Sequence, residues 1–432
     1  MEISELYKIF CRYPVVTTDT RDCPPGSIFF VLRGASFNGN EFALRALEAG
    51  CAYAVVDEPD IAAADGRMLL VEDVLEALQQ LAAYHRKQLA TPIVQVTGTN
   101  GKTTTKELMA AVLSEKFKVL FTQGNFNNHI GVPKTLLRLT REHDIAVVET
   151  GANHPGEIAL LSRLADADCG LITNVGMAHL EGFGSFEGVV RTKGELYDYL
   201  RQKPGAYIFL HADNPHLSAI AEGLPAVRYG SPGPDRDVEG EVLACNPFLQ
   251  LRWRRSGGAW HEVQTHLVGA YNLSNVLAAV AVALRFGVAE AAISQALANY
   301  VPTNNRSELK DTGRNRLIVD AYNANPTSMA AALDNFRLVD HPHKMVVLGE
   351  MRELGEASAE AHARVVEQVA ALSLDEAWFV GPEFAKVAAG RFRCFEDVEA
   401  VRQALAASPV TGRLILIKGS NDTRLYQLPE SF

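Results

Sequence analysis

The apolar residues of this chain fall into short continuous runs that alternate with stretches of helical spacing. SIFFVL (27–32) and IVQVT (93–97) are runs of the first kind, and VLEALQQLAAYHRKQL (74–89) shows the second pattern. Short continuous runs are typical of strands buried on both faces, whereas recurrence every three to four residues is typical of an amphipathic helix. The alternation predicts an α/β protein with parallel sheets covered by helices.

The pattern divides the chain into three units. Residues 1–87 predict a small α/β domain, residues 88–302 a larger central domain, and residues 303–432 a third. Between about residues 226 and 268 the spacing changes to alternating segments containing Gly and Trp, which predict a small antiparallel appendage. The other predicted strands are AYAVV (52–56), IAVVET (145–150), GLITNV (170–175), AYIFL (206–210), RLIVDAY (316–322), KMVVLGE (344–350), EAWFV (376–380) and RLILIKG (413–419). The other predicted helices are 42–50, one from 102, 157–165 and 272–287.

Composition narrows the function classes. Lys+Arg 41 against Asp+Glu 51 gives a net charge of −10, so binding to nucleic acid through a general basic face is not expected. The six cysteines include no CxxC pair, which is typical of reduced thiols in a cytoplasmic protein. The longest apolar run, 276–284, is too short to span a bilayer, so membrane insertion is not expected either.

The segment VQVTGTNGKTTTKE (94–107) predicts a strand, a glycine-containing loop and a helix. Backbone N–H groups of such a loop, together with the positive helix terminus, converge on a phosphate. The spacing departs from the common GxxxxGK[ST] pattern because Val96 stands where the first glycine would be. The predicted ATP-binding residues of this loop are Gly98, Thr99, Asn100, Gly101, Lys102, Thr103 and Thr104.

Three further residues follow predicted strands of the central domain. Glu149 ends one strand, at the sheet edge where metal and ligand sites gather, and His179 and Lys193 follow the next. Taken alone, His179 suits a structural role and Lys193 a solvated helix charge. Their order after a nucleotide loop favours a metal-assisted reaction. The Asn-rich segments 122–137 and 320–329 are either ordinary turns or polar substrate loops.

Taken together, these segments resemble the Mur ligase family over nearly the whole chain. The matching motifs, in family order, are TGTNGKTT, ETGA, TNVG, AHLEGFGS, KGE, YNLSN, DAYNANP and KGS. GNFNNHIGVP and LGEMRELG (348–355) are the most specific for one branch of the family. The resemblance implies an amino-terminal uridine-nucleotide domain, a central ATPase domain and a carboxyl-terminal Rossmann-like domain.

The resemblance also implies an activity and its partners. ATP would phosphorylate the terminal carboxylate of UDP-N-acetylmuramoyl-tripeptide, and the amine of D-alanyl-D-alanine would attack the acyl phosphate to form an amide. The implied cofactors are ATP and Mg²⁺, and the protein is expected to be a cytoplasmic monomer. The third residue of the tripeptide, lysine or diaminopimelate, stays open.

The residue roles implied by the resemblance cover four groups. Catalytic roles fall on Lys102, His179, Lys193 and Arg306. Beyond the loop, ATP contacts fall on Asn272, Asn275, Arg306 and Asp320. Metal contacts fall on Thr103, Glu149, His179 and, as a carbamate, Lys193. Substrate contacts fall on Thr20, Arg21, Asn127, Asn128, Asn323, Lys418 and Ser420.

Two departures from the family weaken the match at the substrate sites. FNGNEF (37–42) stands where relatives usually carry Asp-Gly-His, and Asn421 follows KGS where an arginine is common. The alternatives within the family chemistry are the ligase that adds the third peptide residue and folylpolyglutamate synthetase. Outside it, a nucleotide-gated switch would release phosphate without an acceptor, and a non-enzymatic binding module would leave Glu149, His179 and Lys193 without a task.

Overall fold

The computed structural model describes residues 1–34 and 38–432, and its strands form three sheets. The first residue of the departure FNGNEF, Phe37, lies outside the described residues. The prediction of three α/β domains with parallel sheets is confirmed. Each domain has its own sheet, and helices cover the sheet faces.

The first domain has a four-stranded parallel sheet flanked by four helices. Its elements are α1 (Ile3–Arg12), β1 (Val16–Thr17), β2 (Ile28–Phe30), α2 (Ala43–Glu48), β3 (Tyr53–Val56), α3 (Pro59–Ala62), β4 (Met68–Leu70) and α4 (Val74–Lys87). The strands pair in the order β1-β2-β3-β4. The Asp73 side chain caps α4 by accepting a hydrogen bond from the Glu76 amide at 2.7 Å.

Helix α4 joins the first domain to the second. Its buried His85 contacts the Leu139 carbonyl through Nε2 at 2.7 Å, and Arg86 Nε donates to the Ala165 carbonyl at 3.1 Å. These are long polar side chains that are buried only because each has a carbonyl partner. The first domain is therefore attached to the central one by specific hydrogen bonds as well as by apolar packing.

The central domain has a nine-stranded sheet. Its strands are β5 (Ile93–Thr97), β6 (Val119–Phe121), β7 (Ile145–Glu149), β8 (Cys169–Ile172), β9 (Tyr207–His211), β10 (Ala226–Gly230), β11 (Val238–Cys245), β12 (Phe248–Arg255) and β13 (His261–Val268). Its helices are α5 (Lys102–Ser114), α6 (Gly131–Leu136), α7 (Glu157–Ala165), α8 (Leu180–Phe183), α9 (Phe186–Gln202), α10 (Pro215–Ile220), α11 (Leu273–Arg285) and α12 (Glu290–Asn299). The strand order is β13-β12-β11-β10-β9-β8-β5-β7-β6.

The predicted antiparallel appendage is an extension of this sheet. Strand β11 pairs parallel to β10 and antiparallel to β12, and β13 follows antiparallel to β12. Alternate residues of β12 are buried, because one face of this part of the sheet packs on the protein and the other faces water. The alternating sequence pattern was correctly assigned to antiparallel strands, but it does not reveal which strand they join.

The third domain has a six-stranded sheet and begins with a strand that the sequence pattern did not predict. Its elements are β14 (Glu308–Asp311), β15 (Arg316–Asp320), α13 (Pro326–Leu338), β16 (Lys344–Gly349), α14 (Ser358–Ala370), β17 (Glu376–Val380), α15 (Pro382–Ala388), β18 (Arg393–Phe395), α16 (Val398–Ala407) and β19 (Leu414–Lys418). The order is β14-β15-β19-β16-β17-β18, and only the β14–β15 pairing is antiparallel.

Two sheet edges meet at one place. In the central sheet the ends of β8, β5 and β7 are adjacent, with Val96 opposite Glu149 in the register. In the third sheet Asp320 at the end of β15 lies opposite Lys418 at the end of β19. Ligands of parallel sheets bind at the carboxyl ends of the strands, so these edges position the candidate site.

The buried side chain of Asn315 provides a test of how the third domain is held together. Its Nδ2 donates to the carbonyls of Val410 and Phe432 at 2.7 and 2.8 Å, and its Oδ1 accepts from the Arg413 amide at 3.1 Å. We expect Asn315→Ala to lower the free energy of unfolding by about 2 kcal/mol, because it leaves buried backbone groups without partners. Scanning calorimetry measures this change. The neighbouring variant Arg314→Ala, at an exposed position, should change it by less than about 0.5 kcal/mol, and equal effects would contradict the assignment.

Candidate active site between the central and third domains

A cavity of about 480 Å³ lies between the carboxyl edges of the central and third sheets. We call it the site cavity. Its walls include sixteen of the residues predicted from sequence: Thr99, Asn100, Gly101, Lys102, Thr103, Thr104, Asn127, Asn128, Glu149, His179, Asn272, Asn275, Arg306, Asp320, Asn323 and Lys418. Residues far apart in sequence are thus brought together from both domains.

The phosphate loop, residues 98–101, has a conformation that requires glycine at both ends. Gly98 has φ +140° and Gly101 has φ +78°, a region that L side chains rarely adopt. A Cβ on Gly98 would lie 2.1 Å from Oγ1 of Thr173, and one on Gly101 would lie 2.5 Å from Oδ1 of Asn275. Gly101 immediately precedes α5, so the loop presents its amides at a helix N-terminus.

Lys102 lies at the start of α5 and folds over this loop. Its Nζ donates to the carbonyls of Gly98 and Thr99 at 2.8 and 3.0 Å. Desolvation lowers the pKa of Lys102 to about 8, with Glu149 opposing the shift and Arg306 adding to it. An anionic phosphate nearby would stabilise the charged form of Lys102 and raise its pKa again.

Glu149 is fully buried at the end of β7. Its Oε1 accepts hydrogen bonds from Thr103 Oγ1 at 3.1 Å and Asn127 Nδ2 at 2.8 Å. Its Oε2 is buried and has no hydrogen-bond partner among the described residues. A buried carboxylate oxygen without a partner is costly in a protein, and it is a ligand type that Mg²⁺ prefers.

The protein does not supply a complete metal-ligand set by itself. Residues 1–34 and 38–432 contain no group of three or more His, Cys, Asp or Glu residues that could hold a metal ion. Mg²⁺ is usually bound in nucleotide sites by one or two carboxylates, with phosphate oxygens and waters completing the shell. The single carboxylate of Glu149 beside the hydroxyl of Thr103 fits that kind of site.

Lys193 is buried on α9, so the alternative of a solvated helix charge does not apply. Its Nζ donates to the Ala152 carbonyl at 3.0 Å and lies 5.1 Å from the ring centroid of Phe183. Desolvation, together with repulsion from Lys102, lowers the pKa of Lys193 to about 7. A considerable fraction of this side chain is therefore a neutral amine at physiological pH.

His179 reaches the site cavity from an unusual backbone position. It immediately precedes α8 with φ +51°, a left-handed conformation uncommon for residues other than glycine. Its Nδ1 contacts the carboxylate of Glu353 in the third domain. Desolvation lowers the pKa of His179, opposed by Glu353 and assisted by the cations Lys102 and Lys193. A neutral imidazole is the form that binds metal ions.

The beginning of α11, with Asn272 just before it, packs against the phosphate loop and the helix that follows the loop. Asn275 Nδ2 donates to Oδ1 of Asn272 at 2.9 Å, and Asn272 Nδ2 donates to the Val268 carbonyl at 2.9 Å. Oδ1 of Asn275 accepts from Thr105 Oγ1 at 3.1 Å. Both asparagines line the site cavity, and their contacts fix the distance between α11 and the loop helix α5.

The third domain contributes charges to the opposite wall. The Arg306 guanidinium lies 3.9 Å from the ring centroid of Tyr322, an arrangement that holds a cation by its attraction to the ring face. Lys418 Nζ donates to Asp320 Oδ2 at 2.6 Å and to the Asn323 carbonyl at 3.0 Å. Arg306 is therefore held in position without a carboxylate partner of its own among the described residues.

Five of the predicted site residues lie outside the cavity walls: Gly98, Lys193, Thr20, Arg21 and Ser420. Gly98 and Lys193 still contact wall residues. Arg21 is exposed in the first domain and forms an ion pair with Asp19 at 2.7 Å. Ser420 is buried and donates to the Glu350 carbonyl at 2.9 Å.

The two asparagines predicted to contact substrate have structural partners as well. Asn127 donates to Glu149, as described above, and Asn128 Oδ1 accepts from the amides of Ile130 and Gly131, just before and at the start of α6, at 3.1 and 2.9 Å. The side-chain nitrogen of Asn128 is not used by these two bonds. Both residues line the site cavity, so their predicted contact with substrate stays a prediction.

Among the contacts at the site, Asn174 and Glu353 were not predicted from sequence, and Asn325 was noted only as part of the Asn-rich segment 320–329. Asn174 Oδ1 accepts from the Asn100 amide at 3.0 Å, and Asn325 exchanges side-chain hydrogen bonds with Asn100, the shorter of 2.8 Å. Glu353 contacts His179. Asn174, Asn325 and Glu353 belong to the family motifs TNVG, DAYNANP and LGEMRELG. Membership of these motifs was the sequence signal that could have identified them.

The three domains match three family models in chain order. Residues 12–86 match the "Mur ligase family, catalytic domain", residues 96–283 the "Mur ligase middle domain", and residues 305–421 the "Mur ligase, glutamate ligase domain". A phosphate loop and a buried carboxylate facing charged residues of the third domain agree with an ATP-using enzyme of this kind. The chain belongs to the Mur ligase family.

Several of the similar proteins have the same name. The chain is 35% identical to the UDP-N-acetylmuramoyl-tripeptide–D-alanyl-D-alanine ligase of Bacillus subtilis, covering 96% of this chain and 92% of that protein. It superposes on MurF from Acinetobacter baumannii with a TM-score of 0.85 at 32% identity, covering 96% and 92% of the two chains. It superposes on MurF ligase from Thermotoga maritima in complex with ADP with a TM-score of 0.85 at 26% identity, covering 97% and 96%.

Because Thr173 lies close to Gly98, replacing this glycine by alanine is expected to disturb the phosphate loop. We expect Gly98→Ala to weaken binding of a non-hydrolysable ATP analogue at least about tenfold, because the added Cβ displaces the loop amides. Titration calorimetry measures this affinity. Gly205→Ala is a matched control, because Gly205 also has a positive φ, +77°, but a Cβ there meets no described atom within 4 Å. An affinity of Gly98→Ala within about twofold of the wild type would contradict the predicted fit.

Proposed function

We propose that this protein joins D-alanyl-D-alanine to UDP-N-acetylmuramoyl-tripeptide at the expense of ATP, in peptidoglycan precursor synthesis. The observation that carries the proposal is the site cavity itself. It brings the phosphate loop of one domain against Arg306, Asp320 and Lys418 of another. The relatives named above, which share about a third of the residues over nearly the whole chain, support the choice of substrates.

The reaction needs one phosphoryl transfer and one acyl transfer. An oxygen of the tripeptide carboxylate attacks the γ-phosphorus of ATP, the bond to the β-phosphate oxygen breaks, and ADP leaves. The amine of the dipeptide then attacks the carbonyl carbon of the acyl phosphate. It loses a proton as the amide forms, and inorganic phosphate leaves with the carboxylate oxygen. Both steps depend mainly on positioning and on stabilising negative charge.

The residues of the site divide these tasks. Lys102 exchanges its two loop carbonyls for the β- and γ-phosphate oxygens. The amides at the start of α5 hold the same anions, since those of Thr99 and Asn100 donate to Asn174. Arg306 faces the γ-phosphate from the third domain. Asp320 accepts from the ribose, and Asn272 and Asn275 line the adenine side. The reaction therefore requires both domains on one nucleotide.

Mg²⁺ fits the donors present on the central domain. We propose that Thr103 and Glu149 hold one Mg²⁺, with the unpartnered Oε2 of Glu149 as the strongest support. We also propose that His179 helps to place a second Mg²⁺ and that carbamylated Lys193 is an anionic metal ligand. A bound Mg²⁺ neutralises charge on the phosphates during transfer. The same residues, without it, keep the cavity wall polar and fix the position of the phosphate loop.

The carbamate on Lys193 follows from its surroundings. Only the neutral amine attacks CO₂, and a pKa near 7 makes that form abundant. The nitrogen–carbon bond forms with loss of one proton, and the product is an anion in place of a cation. This change also removes the repulsion between Lys193 and Lys102.

The two other substrates are assigned to surfaces on either side of the cavity. We propose that Thr20 and Arg21 bind the uridine nucleotide, that Asn127 and Asn128 contact the peptide-bearing substrate, and that Asn323, Lys418 and Ser420 serve the dipeptide. We also propose that the protein works as a monomer in the cytoplasm. The six cysteines are all free thiols, in agreement with a reducing compartment. No helix in the described part of the chain is long and apolar enough to cross a membrane.

Mass spectrometry tests the proposed reaction directly. With Mg²⁺, ATP and a UDP-N-acetylmuramoyl-tripeptide, we expect the pentapeptide product when D-alanyl-D-alanine is added, and no product with single amino acids. Running lysine- and diaminopimelate-containing tripeptides in competition identifies the third residue. Phosphate release that is independent of any acceptor, without a pentapeptide product, would instead identify a nucleotide-driven switch.

Lys193→Ala tests the carbamate. We expect activity to fall by about 100-fold or more, because an anionic oxygen ligand is lost, and to recover in part when small carboxylates are added. Since the neutral fraction of Lys193 grows as pH rises through about 7, incorporation of isotope-labelled CO₂ into the wild type should rise over the same range. Arg191→Ala, at an exposed position on the same helix, is the control. An unlabelled lysine in fully active wild type would contradict the carbamate.

A further inference from the structure

The loop after β16 places the carboxylate of Glu353, a residue of the third domain, next to the wall of the site cavity. The Glu353 carboxylate contacts Nδ1 of His179, which is a cavity wall residue. The Glu353 carbonyl also accepts from the amide of Glu181 in α8 at 3.4 Å. Glu353 therefore lies at the gap between the domains, in contact with a residue of the cavity wall.

The backbone fixes this carboxylate in place. Glu353 has φ +60°, a left-handed conformation that a non-glycine residue keeps only where its surroundings hold it. Met351 and Leu354 are buried on either side, and the Met351 amide donates to Nε2 of His362 at 3.0 Å. The loop can thus present a charged side chain to the gap without depending on contacts of that side chain.

Three other acids around the cavity have protein donors on at least one carboxylate oxygen. Glu149 accepts from Thr103 and Asn127, and Asp320 is paired with Lys418. Glu157 Oε2 accepts the backbone amides of residues 153 and 154 at 2.8 and 2.9 Å.

Glu353 differs from these acids in two ways. Its side chain is 47% exposed, and no lysine or arginine of the described residues lies within ion-pair distance of it. The neighbouring cation, Arg352, is paired at 2.7 Å with the buried Glu350 and does not neutralise it. The Glu353 carboxylate therefore has no lysine or arginine partner among the described residues, and it is available to bind a cationic group of a ligand.

The second substrate of the reaction supplies such a partner. A dipeptide with a free amino terminus is an ammonium ion at neutral pH, and its nitrogen must come close to the acyl carbon. We propose that Glu353 binds the ammonium group of the incoming amine substrate and so places its nitrogen on the third-domain side of the acyl phosphate. The ammonium group takes over the carboxylate contact made by His179. This inference rests on the proposed function, which supplies the amine.

Glu353→Gln removes the charge and keeps the shape of the side chain. We expect the KM for D-alanyl-D-alanine to rise about 10- to 100-fold, the range for losing a hydrogen bond between two charged groups. The KM values for ATP and for the UDP-linked substrate should stay within about twofold of the wild type. Glu353→Asp, which keeps the charge, should recover part of the loss. Steady-state kinetics with each substrate varied in turn gives all three KM values.

Glu356→Gln is the matched control, because it removes an exposed carboxylate three residues further along the same loop. It should leave every KM unchanged. A second probe is N-acetyl-D-alanyl-D-alanine, which has the same peptide but no positive charge. Its inhibition constant should be the same for the wild type and for Glu353→Gln, because Glu353 makes no charge interaction with it.

The KM values and inhibition constants together distinguish ammonium binding by Glu353 from a structural role of this residue. Equal rises in KM for ATP and for the dipeptide would overturn the proposal and assign Glu353 to domain pairing through His179. An equal loss of affinity for the N-acetyl compound would likewise overturn it in favour of a structural role. Failure of the wild type to form product would refute the proposed function instead, and that result is obtained in the same assay without any variant.

Discussion

Buried charge at the end of the central sheet is the constraint on which the rest of the site depends. Desolvation is the main cause that lowers the pKa values of Lys102 and Lys193 to about 8 and 7, and repulsion from Lys102 adds to the shift of Lys193. Beside them, Glu149 keeps one oxygen without a partner among the described residues. Such a site favours ligands that bring several negative charges together with a divalent cation, as a magnesium nucleotide does. It also favours the neutral amine form of Lys193, the form that the proposed carbamate requires.

The fold satisfies this constraint by completing the site with a second sheet. The phosphate loop is anchored on its own domain by Asn174 and Thr173, and across the gap Asn100 exchanges amide hydrogen bonds with Asn325. Asn325 at the same time caps α13 through Ser328, so the contact is made by a rigid helix terminus. The nucleotide site and the third domain are thereby coupled through the side-chain amides of Asn100 and Asn325.

Much of this arrangement could be predicted from sequence, because it depends on local patterns. Strand β5 and helix α7 have the predicted limits, and Glu149 lies at the end of its strand and at the cavity wall, as predicted. The remainder depends on contacts between distant residues. The alternating pattern of β12 predicts an antiparallel strand but not its pairing partner, and nothing local to Asn325 or Glu353 shows that they meet Asn100 and His179. The burial of Lys193, which lowers its pKa, likewise depends on packing by other elements.

The central claim is that the reaction at the site between the two sheets passes through one acyl phosphate. Following a labelled oxygen atom from the tripeptide carboxylate into the released phosphate tests this claim. The UDP-N-acetylmuramoyl-tripeptide is labelled with heavy oxygen in its terminal carboxylate and turned over with ATP and D-alanyl-D-alanine, and the released inorganic phosphate is analysed by mass spectrometry. Transfer through an acyl phosphate predicts one labelled oxygen in each phosphate released. Unlabelled phosphate, formed together with the amide product, would contradict the account.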